Sequence, residues 1–215
     1  MKVISVNIGA PKTVMIDGKP FTTGIYKKPV MEPLFVTKHN FVGDGQADLV
    51  HHGGYDKAIC AYPSEHFAEW EKRYHRPFSP GAFGENLTLE GLTEAQACIG
   101  DIFSVGTAVI QLSQPRQPCF KLAKRHGLPD LPLAVQQTGR TGFYFRVLQE
   151  GIIQQGDKLT LVERSQTRLS VQYVNHIYYV EKTDGEAMQK IIAEPALSES
   201  WRKAFAARLS AIADK

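Results

Sequence analysis

The chain has 215 residues, 43% of them hydrophobic and 22% charged, which suits one large domain, or one domain with a small appendage, around a sizeable core. Its formal net charge of +3 is spread along the sequence rather than striped, which argues against a nucleic-acid binder. No stretch reaches transmembrane length and the opening "MKVISVNIGAP" is too short and polar for a signal peptide, so a cytoplasmic protein with reduced thiols is expected.

The first 160 or so residues read as β-rich. "KVISVNIG" alternates Val3, Ser5 and Asn7 against Ile4, Val6 and Ile8, and "PVMEPLFVTKHNFVG" holds short strand-like runs broken by Pro29 and Pro33. Next comes "GDGQADLVHHGGYDKAI", residues 43–59. Its glycines can turn backbone amides toward an anion as a nest, Lys57 offers a point charge, and His51 and His52 can donate or titrate. A glycine-rich turn leading into a strand accounts for the same residues, and the G-K-[ST] of a Walker loop is absent.

"PSEHFAEWEKRY" reads as a helix, with Ser64 as N-cap after Pro63 and Phe67, Trp70 and Tyr74 on one core-facing stripe. In "FGENLTLEGL", Glu85 and Asn86 stand ahead of an alternating run, where they either orient a polar ligand or tie the loop to its own backbone. "IFSVGTAVIQLSQ" reads as two strands turning at Gly106–Thr107.

"SQPRQPCFKLAKRHG", residues 113–127, surrounds a cysteine with positive charge. Pro115 and Pro118 cannot donate to a sheet, so the chain must leave it near Gln114. With Pro118 as first helical residue and Gly127 past the end, Cys119 is expected in the first turn, where the helix dipole favours a thiolate. Arg116 and Lys121 push the same way; the bland alternative is a small core cysteine beside solvated charges. Cys60 and Cys98 lie in apolar runs without nearby charge and are expected to be buried and inert, and no cysteine pair has zinc-finger or C-x-x-C spacing.

"TGRTGFY" projects Arg140 between two glycines, as a ligand contact or a solvated turn. "FYFRVL" and "KLTLVER" are further strands. From about residue 168 the period changes to helical: "LSVQYVNHIYYVEK", "DGEAMQKIIAE" and "LSESWRKAFAARLSAIAD" predict three helices, with caps or breaks near Asp184, Pro195 and Ser198. Gln172, Asn175 and Tyr179 share a partly polar face, suited to covering a site or meeting a partner. The expected fold is α+β, mainly β, with a barrel-like domain over 1–165 and a three-helix appendage over 166–215.

In this order, Gly43–Asp44, "HHGGYDKAI", "YPSEHFAEW", "GENL", the Gly100–Asp101 pair, "QPRQPCFKL" and "TGRTGFYFRVL" resemble the MOSC family, named for the C-terminal domain of molybdenum-cofactor sulfurase. The similarity covers nearly the whole chain, and the three final helices look like its YiiM-type bacterial subgroup. The resemblance implies a MOSC β-barrel that binds the molybdenum cofactor, a pterin dithiolene with a terminal phosphate, with Cys119 as the thiolate ligand to molybdenum. It also implies reduction of N-hydroxylated compounds, such as hydroxylaminopurine-type base analogues, with electrons from a flavin or iron–sulfur partner. On that reading Arg116 and Lys121 balance the sulfur charge, while Gly53, Gly54, Lys57 and Arg140 hold phosphate or pterin. His52, Asp56, Glu85 and Asn86 orient cofactor or substrate. Two other readings stay open: a persulfide sulfur carrier using Cys119, and a cofactor-binding module without turnover. Pyridoxal phosphate is not expected, since no lysine stands out for a Schiff base; a homodimer is compatible with the appendage.

Overall fold

A computed structural model describes residues 1–16, 18–47 and 53–213. The strands are β1 (Lys2–Ile8), β2 (Lys12–Ile16), β3 (Lys19–Thr23), β4 (Lys28–Val30), β5 (Leu34–Val36), β6 (Ile59–Pro63), β7 (Leu87–Glu90), β8 (Ile102–Val105), β9 (Ala108–Pro115), β10 (Phe143–Gln149), β11 (Gly151–Ile153) and β12 (Leu159–Glu163). Eight of them form one sheet in the order β12-β8-β9-β10-β6-β7-β1-β4. Within it β6 and β7 run parallel and the other neighbours antiparallel. The sheet curls toward closure: Val3 N–H donates to Asp157 O at 2.9 Å and Leu159 N–H to Met1 O at 3.0 Å, joining the first strand to the segment that leads into the last. The mainly β, α+β architecture expected from the sequence is therefore what forms.

Local chemistry explains where the alternation rule slips. In β1 a register shift between Val3 and Ser5 puts Val3 and Val6 in the core and leaves Ile4 half-buried. Ser5 and Asn7 are buried as well, so they pair: Ser5 Oγ donates to Asn7 Oδ1 at 2.8 Å, and Asn7 Nδ2 to Thr88 Oγ1 at 3.1 Å.

The helices are α1 (Phe67–Tyr74), α2 (Phe120–His126), α3 (Leu131–Thr138), α4 (Val171–Tyr179), α5 (Gly185–Ile192) and α6 (Glu199–Ala213). Ser64 does not cap α1; it opens a 3-10 turn, Ser64–His66, that carries the chain from the end of β6 into the helix. Of the later caps, Asp184 and Ser198 were expected, Ser198 Oγ accepting from Trp201 N–H at 3.4 Å, and Ser170 was not. Ser170 Oγ accepts from Tyr173 N–H at 3.1 Å, and Asp184 Oδ1 from Ala187 N–H at 2.9 Å.

Two cores hold these pieces. The main one runs without a break from the inner face of the sheet (Val3, Ile59, Ile110, Phe143, Phe145) into the helical unit (Val174, Ile177, Met188, Trp201, Phe205). Buried Asn175 strengthens the join, donating through Nδ2 to Thr141 Oγ1 at 2.8 Å. The second core gathers Tyr62, Trp70, Phe83, Leu122, Leu131 and Val135 under α1, α2 and α3, with the Tyr62 and Phe83 rings stacked at 3.9 Å. Trp70 is fully buried there, as its stripe predicted. Among the described residues no helix is long and apolar enough to cross a membrane.

Candidate functional site

The floor of the site is a cross-strand row. In β10, Phe143 and Phe145 face the core, so Tyr144 between them takes the other face of the sheet. Register places Cys60 of β6 on one side of Tyr144 and Gln114 of β9 on the other. One residue beyond Gln114 the strand ends at Pro115, and the chain turns through Arg116 and Pro118 to Cys119.

Cys119 is the N-cap of α2, not a residue of its first turn: its backbone is extended (φ −123°, ψ 166°), and helical geometry starts at Phe120. The Cys119 carbonyl accepts from Leu122 N–H at 3.0 Å, while its side chain makes no capping bond and lines two cavities. Pro118 accordingly lies outside the helix. Three contacts fix the helix. Leu122 is fully buried in the second core, Arg125 donates to Gly81 O at 2.6 Å, and His126 Nε2 donates to Ala82 O at 2.8 Å. Gly127 closes α2 at φ 62°, the left-handed position foreseen for it.

The smaller cavity, about 70 Å³, is lined by Cys119, Cys60, Tyr144, Arg116, Lys27, Lys121 and Asn86, with the Thr23–Ile25 and Gly45–Ala47 loops on its far side. Those two loops touch at glycine: a Cβ on Gly24 would stand 2.3 Å from Gly45 O, so a side chain there would push them apart. The larger cavity, about 700 Å³, opens between the sheet and the helical unit, among Lys57, Gln114, Gln136, Tyr178, Tyr179 and Trp201. Cys119, Lys121 and Tyr144 border both spaces. Among the described residues no carboxylate lines either one, whereas Arg116, Lys27, Lys57 and Lys121 do.

Arg116 is the central cation. It is 6% exposed, and its Nη2 donates to Phe83 O at 2.7 Å, while Nη1 is buried without a hydrogen-bond partner among the described residues. Burial works against its charge, but the neighbouring Cys60, Tyr144 and Cys119 outweigh burial and hold the guanidinium above its ordinary range. An orphaned N–H on a buried cation is costly, and an anion beside Cys119 would satisfy it. Burial likewise pushes the Cys60 thiol up to about 11 and the Tyr144 phenol well above its usual range, so both stay protonated at neutral pH. Lys27 carries a second charge into the small cavity, paired with the buried Asp44 carboxylate.

The sequence-predicted residues divide. Cys119, Arg116, Lys121, Lys57 and Asn86 come together at the two cavities. Asn86 also has framework work: its Oδ1 accepts from Cys60 N–H at 3.1 Å and its Nδ2 donates to Asp44 Oδ2 at 2.8 Å. Glu85 is fully buried and ties its own loop, accepting from Gly81 N–H at 2.6 Å, Phe83 N–H at 2.9 Å and Thr88 Oγ1 at 2.8 Å. Of its two readings, the structure takes the loop tie. Asp56 pairs with Arg146 at 2.7 Å and accepts from Glu199 N–H at 3.3 Å, linking the sheet to α6 rather than lining a cavity. Arg140 pairs with Glu69 of α1, away from both cavities. Gly53 and Gly54 lead into the 3-10 turn Tyr55–Lys57 and line neither space. His51 and His52 lie outside the described residues.

Sequence reasoning left several contributors unassigned. Cys60 is buried as expected, but it faces Arg116 and the Cys119 cavity rather than uncharged surroundings. Tyr144 was findable, since period-2 alternation puts it opposite Phe143 and Phe145. Lys27, Tyr178 and Trp201 come from distant segments that no spacing connects to Cys119, while Tyr179 lies on the partly polar helix face that the sequence suggested could cover a site.

Comparison with known proteins fits this geometry. Residues 48–160 match the MOSC domain and residues 169–211 the YiiM-like, 3-alpha helix domain. The crystal structure of YiiM from Geobacillus stearothermophilus superposes with a TM-score of 0.84 at 54% identity, covering 97% of this chain and 98% of that one. Protein YiiM of Escherichia coli (strain K12) is 36% identical over 195 residues, 89% of this chain and 86% of that protein. A reductase of Gibberella moniliformis (strain M3125 / FGSC 7600) is 35% identical over 181 residues, 81% of this chain but 32% of its own length. With a MOSC barrel, a YiiM-like helical unit and a cysteine held at their shared cavity, the chain belongs to the YiiM-type MOSC family.

Proposed function

We propose that this chain binds the molybdenum cofactor through Cys119 and reduces N-hydroxylated compounds of the hydroxylaminopurine class. The observation that carries the reading is that a partly exposed thiol and a buried guanidinium line one small cavity, where among the described residues Nη1 of the guanidinium has no partner and no carboxylate takes part in the lining. The donor set fits such a group: a thiolate is the soft ligand a molybdenum dithiolene takes, and Arg116, Lys121 and Lys57 match its negative sulfur and phosphate. The fungal reductase relative supports reductive chemistry.

When bound, the cofactor supplies the two electrons that convert R–NHOH and two protons into R–NH2 and water. The protein's own residues do the rest. Cys119, fixed by the anchored α2, holds the ligand position, and Arg116 keeps charge on the sulfur affordable in a buried setting. Tyr144, kept protonated by burial, presents an O–H between the two cavities. The electrons themselves must come from a flavin or iron–sulfur donor.

The test is reduction of 6-N-hydroxylaminopurine with reduced methyl viologen as donor, using protein from a cofactor-producing host. Turnover in the parent and a loss of at least a hundredfold in Arg116→Ala support the reading. Cofactor-loaded parent without turnover on any N-hydroxylated substrate contradicts it.

A second reading, a persulfide carrier, is favoured by one observation: Cys60 and Cys119 line the same small cavity. It predicts cyanide-labile sulfur on the purified chain, lost in Cys119→Ser.

A further inference from the structure

Arg140 turns away from both cavities, yet the backbone around it, "TGRTG" at 138–142, is held more tightly than a solvated turn requires. Tyr62 Oη donates to Arg140 O at 3.1 Å, and Gly142 N–H donates to Oε1 of the buried Glu94 at 2.7 Å. Glu94 also accepts, through Oε2, from the buried His66 Nε2 at 2.6 Å. Gly142 sits at φ 72°, and a Cβ there would stand 2.4 Å from Ala61 O, so only glycine lets the segment lie this close to β6. Tyr62 and His66 belong to "YPSEHFAEW". Two stretches that line neither cavity therefore converge on one short piece of backbone.

That piece holds the turn to Cys119. Pro115 and Pro118 have no N–H, and of residues 116–119 only Arg116 donates its backbone N–H to a backbone carbonyl among the described residues, that of Gly142 at 3.0 Å. The same carbonyl accepts from Thr141 Oγ1 at 2.8 Å, and Thr141 Oγ1 accepts from Asn175 Nδ2 of α4, also at 2.8 Å. Carbonyls fix the direction of this chain at both ends. Gly139 O, 3.3 Å from Asn175 Nδ2, can only accept, so the amide nitrogen faces it. Gly142 O can only accept, so the Thr141 hydroxyl donates to it. Thr141 and Asn175 are both buried, and Asn175 Oδ1 has no partner among the described residues. An apolar residue of similar size would avoid that penalty; what the asparagine supplies in exchange is the Nδ2 donor.

We infer that Asn175 and Thr141 are positioning residues for Arg116 and Cys119, acting through the carbonyl of Gly142. Two donors aim this carbonyl, and each bond in such a chain polarises and strengthens the next. Without the hydroxyl, Arg116 N–H is its one remaining donor and the peptide is free to rotate. Rotation there moves Arg116 relative to Cys119, with which it lines the small cavity. The helical unit, which already walls the large cavity with Tyr178 and Tyr179 of α4, thus also supports the thiol from behind. The inference takes from the function proposed above only that Cys119 is the working group, and it needs no metal.

Thr141→Val removes the hydroxyl and keeps the side-chain shape, whereas Thr141→Ser keeps the hydroxyl. In the full chain, prepared from a host that makes no molybdenum cofactor, amide hydrogen exchange at Arg116 should quicken about tenfold in the valine variant. Amides in the middle of β10 should stay protected, because a general loss of stability would speed them in step with Arg116. Iodoacetamide should alkylate Cys119 about fivefold more slowly at pH 7, since the thiolate is the reacting form and a guanidinium held beside it favours that form. Asn175→Leu, which removes the donor from the helical side, should act the same way in both readings, and Thr141→Ser should behave as the parent.

The inference is overturned if Thr141→Val matches the parent in both readings, or if Arg116 exchange quickens while alkylation does not slow. It is equally overturned if the β10 amides lose protection in step with Arg116, or if the serine variant behaves as the valine variant does. Should Thr141→Val fail to fold, Asn175→Leu decides by the same two readings. Absence of molybdenum from every preparation would remove the proposed function and leave both readings intact. Molybdenum-dependent reduction alongside a parent-like Thr141→Val would remove this inference alone.

Discussion

At the scale of single residues, the three cysteines separate by position rather than by sequence context. Cys119 is partly exposed at the end of a strand-to-helix turn, whereas Cys60 and Cys98 are buried. Burial pushes the Cys60 thiol up to about 11 and raises Cys98 as well. Iodoacetamide at pH 8 should therefore label one thiol per chain rapidly, and Cys119→Ser should abolish that fast phase; equal labelling of Cys60 would contradict the assignment. The placement of Cys119 at a strand-to-helix turn was legible because two prolines and a terminal glycine bear on one short stretch. Its role as N-cap was not, since one residue of difference at a helix start is below what capping signals resolve. Glu85 and Arg140 were ambiguous for a general reason. A charged residue beside glycine serves a loop as readily as a ligand, and only its partners (Gly81 and Phe83 for one, Glu69 for the other) decide.

At the scale of elements, α2 is the part that fixes Cys119 at the border of the two cavities. Much of the positive charge after Cys119 anchors this helix: Arg125 and His126 bind the carbonyls of Gly81 and Ala82. Burial, with Arg125 and Arg76 nearby, depresses the His126 imidazole below its ordinary range. A depressed folded value means the unfolded chain takes up the proton first. This contribution is thus complete above the ordinary histidine value, roughly pH 6.5, and is lost as pH falls below it. The melting temperature should decline from pH 7 to 5.5, with a shallower slope in His126→Gln, which keeps an N–H donor but does not titrate. An unchanged slope in that variant would assign the acid sensitivity elsewhere. Elements with strong periodicity, such as α4, α5 and the β8–β9 hairpin, were readable from the sequence. The course of β1 was not, because its bulge moves Ile4 out of the core and brings in Ser5 and Asn7, a change decided by pairing with β7.

At the scale of the whole molecule, the helical unit is structurally continuous with the barrel. Its apolar residues share one core with the sheet, and Ser198 N–H donates to Ser113 O at 3.0 Å, beside the strand end that leads to Cys119. Calorimetry should accordingly show a single cooperative transition; two separate transitions would mean that the units fold independently. The same continuity explains what the sequence concealed. The large cavity exists only where α4 and α6 meet β9 and β10, and no local pattern encodes a meeting of segments more than twenty residues apart. The account as a whole turns on Cys119 as a metal ligand. Its most direct test is molybdenum per chain by elemental analysis, after expression in a cofactor-producing host, for the parent and Cys119→Ser. Near-stoichiometric metal in the parent, with a large loss in the variant, is the predicted result; no molybdenum in the parent, or equal content in both, would contradict it.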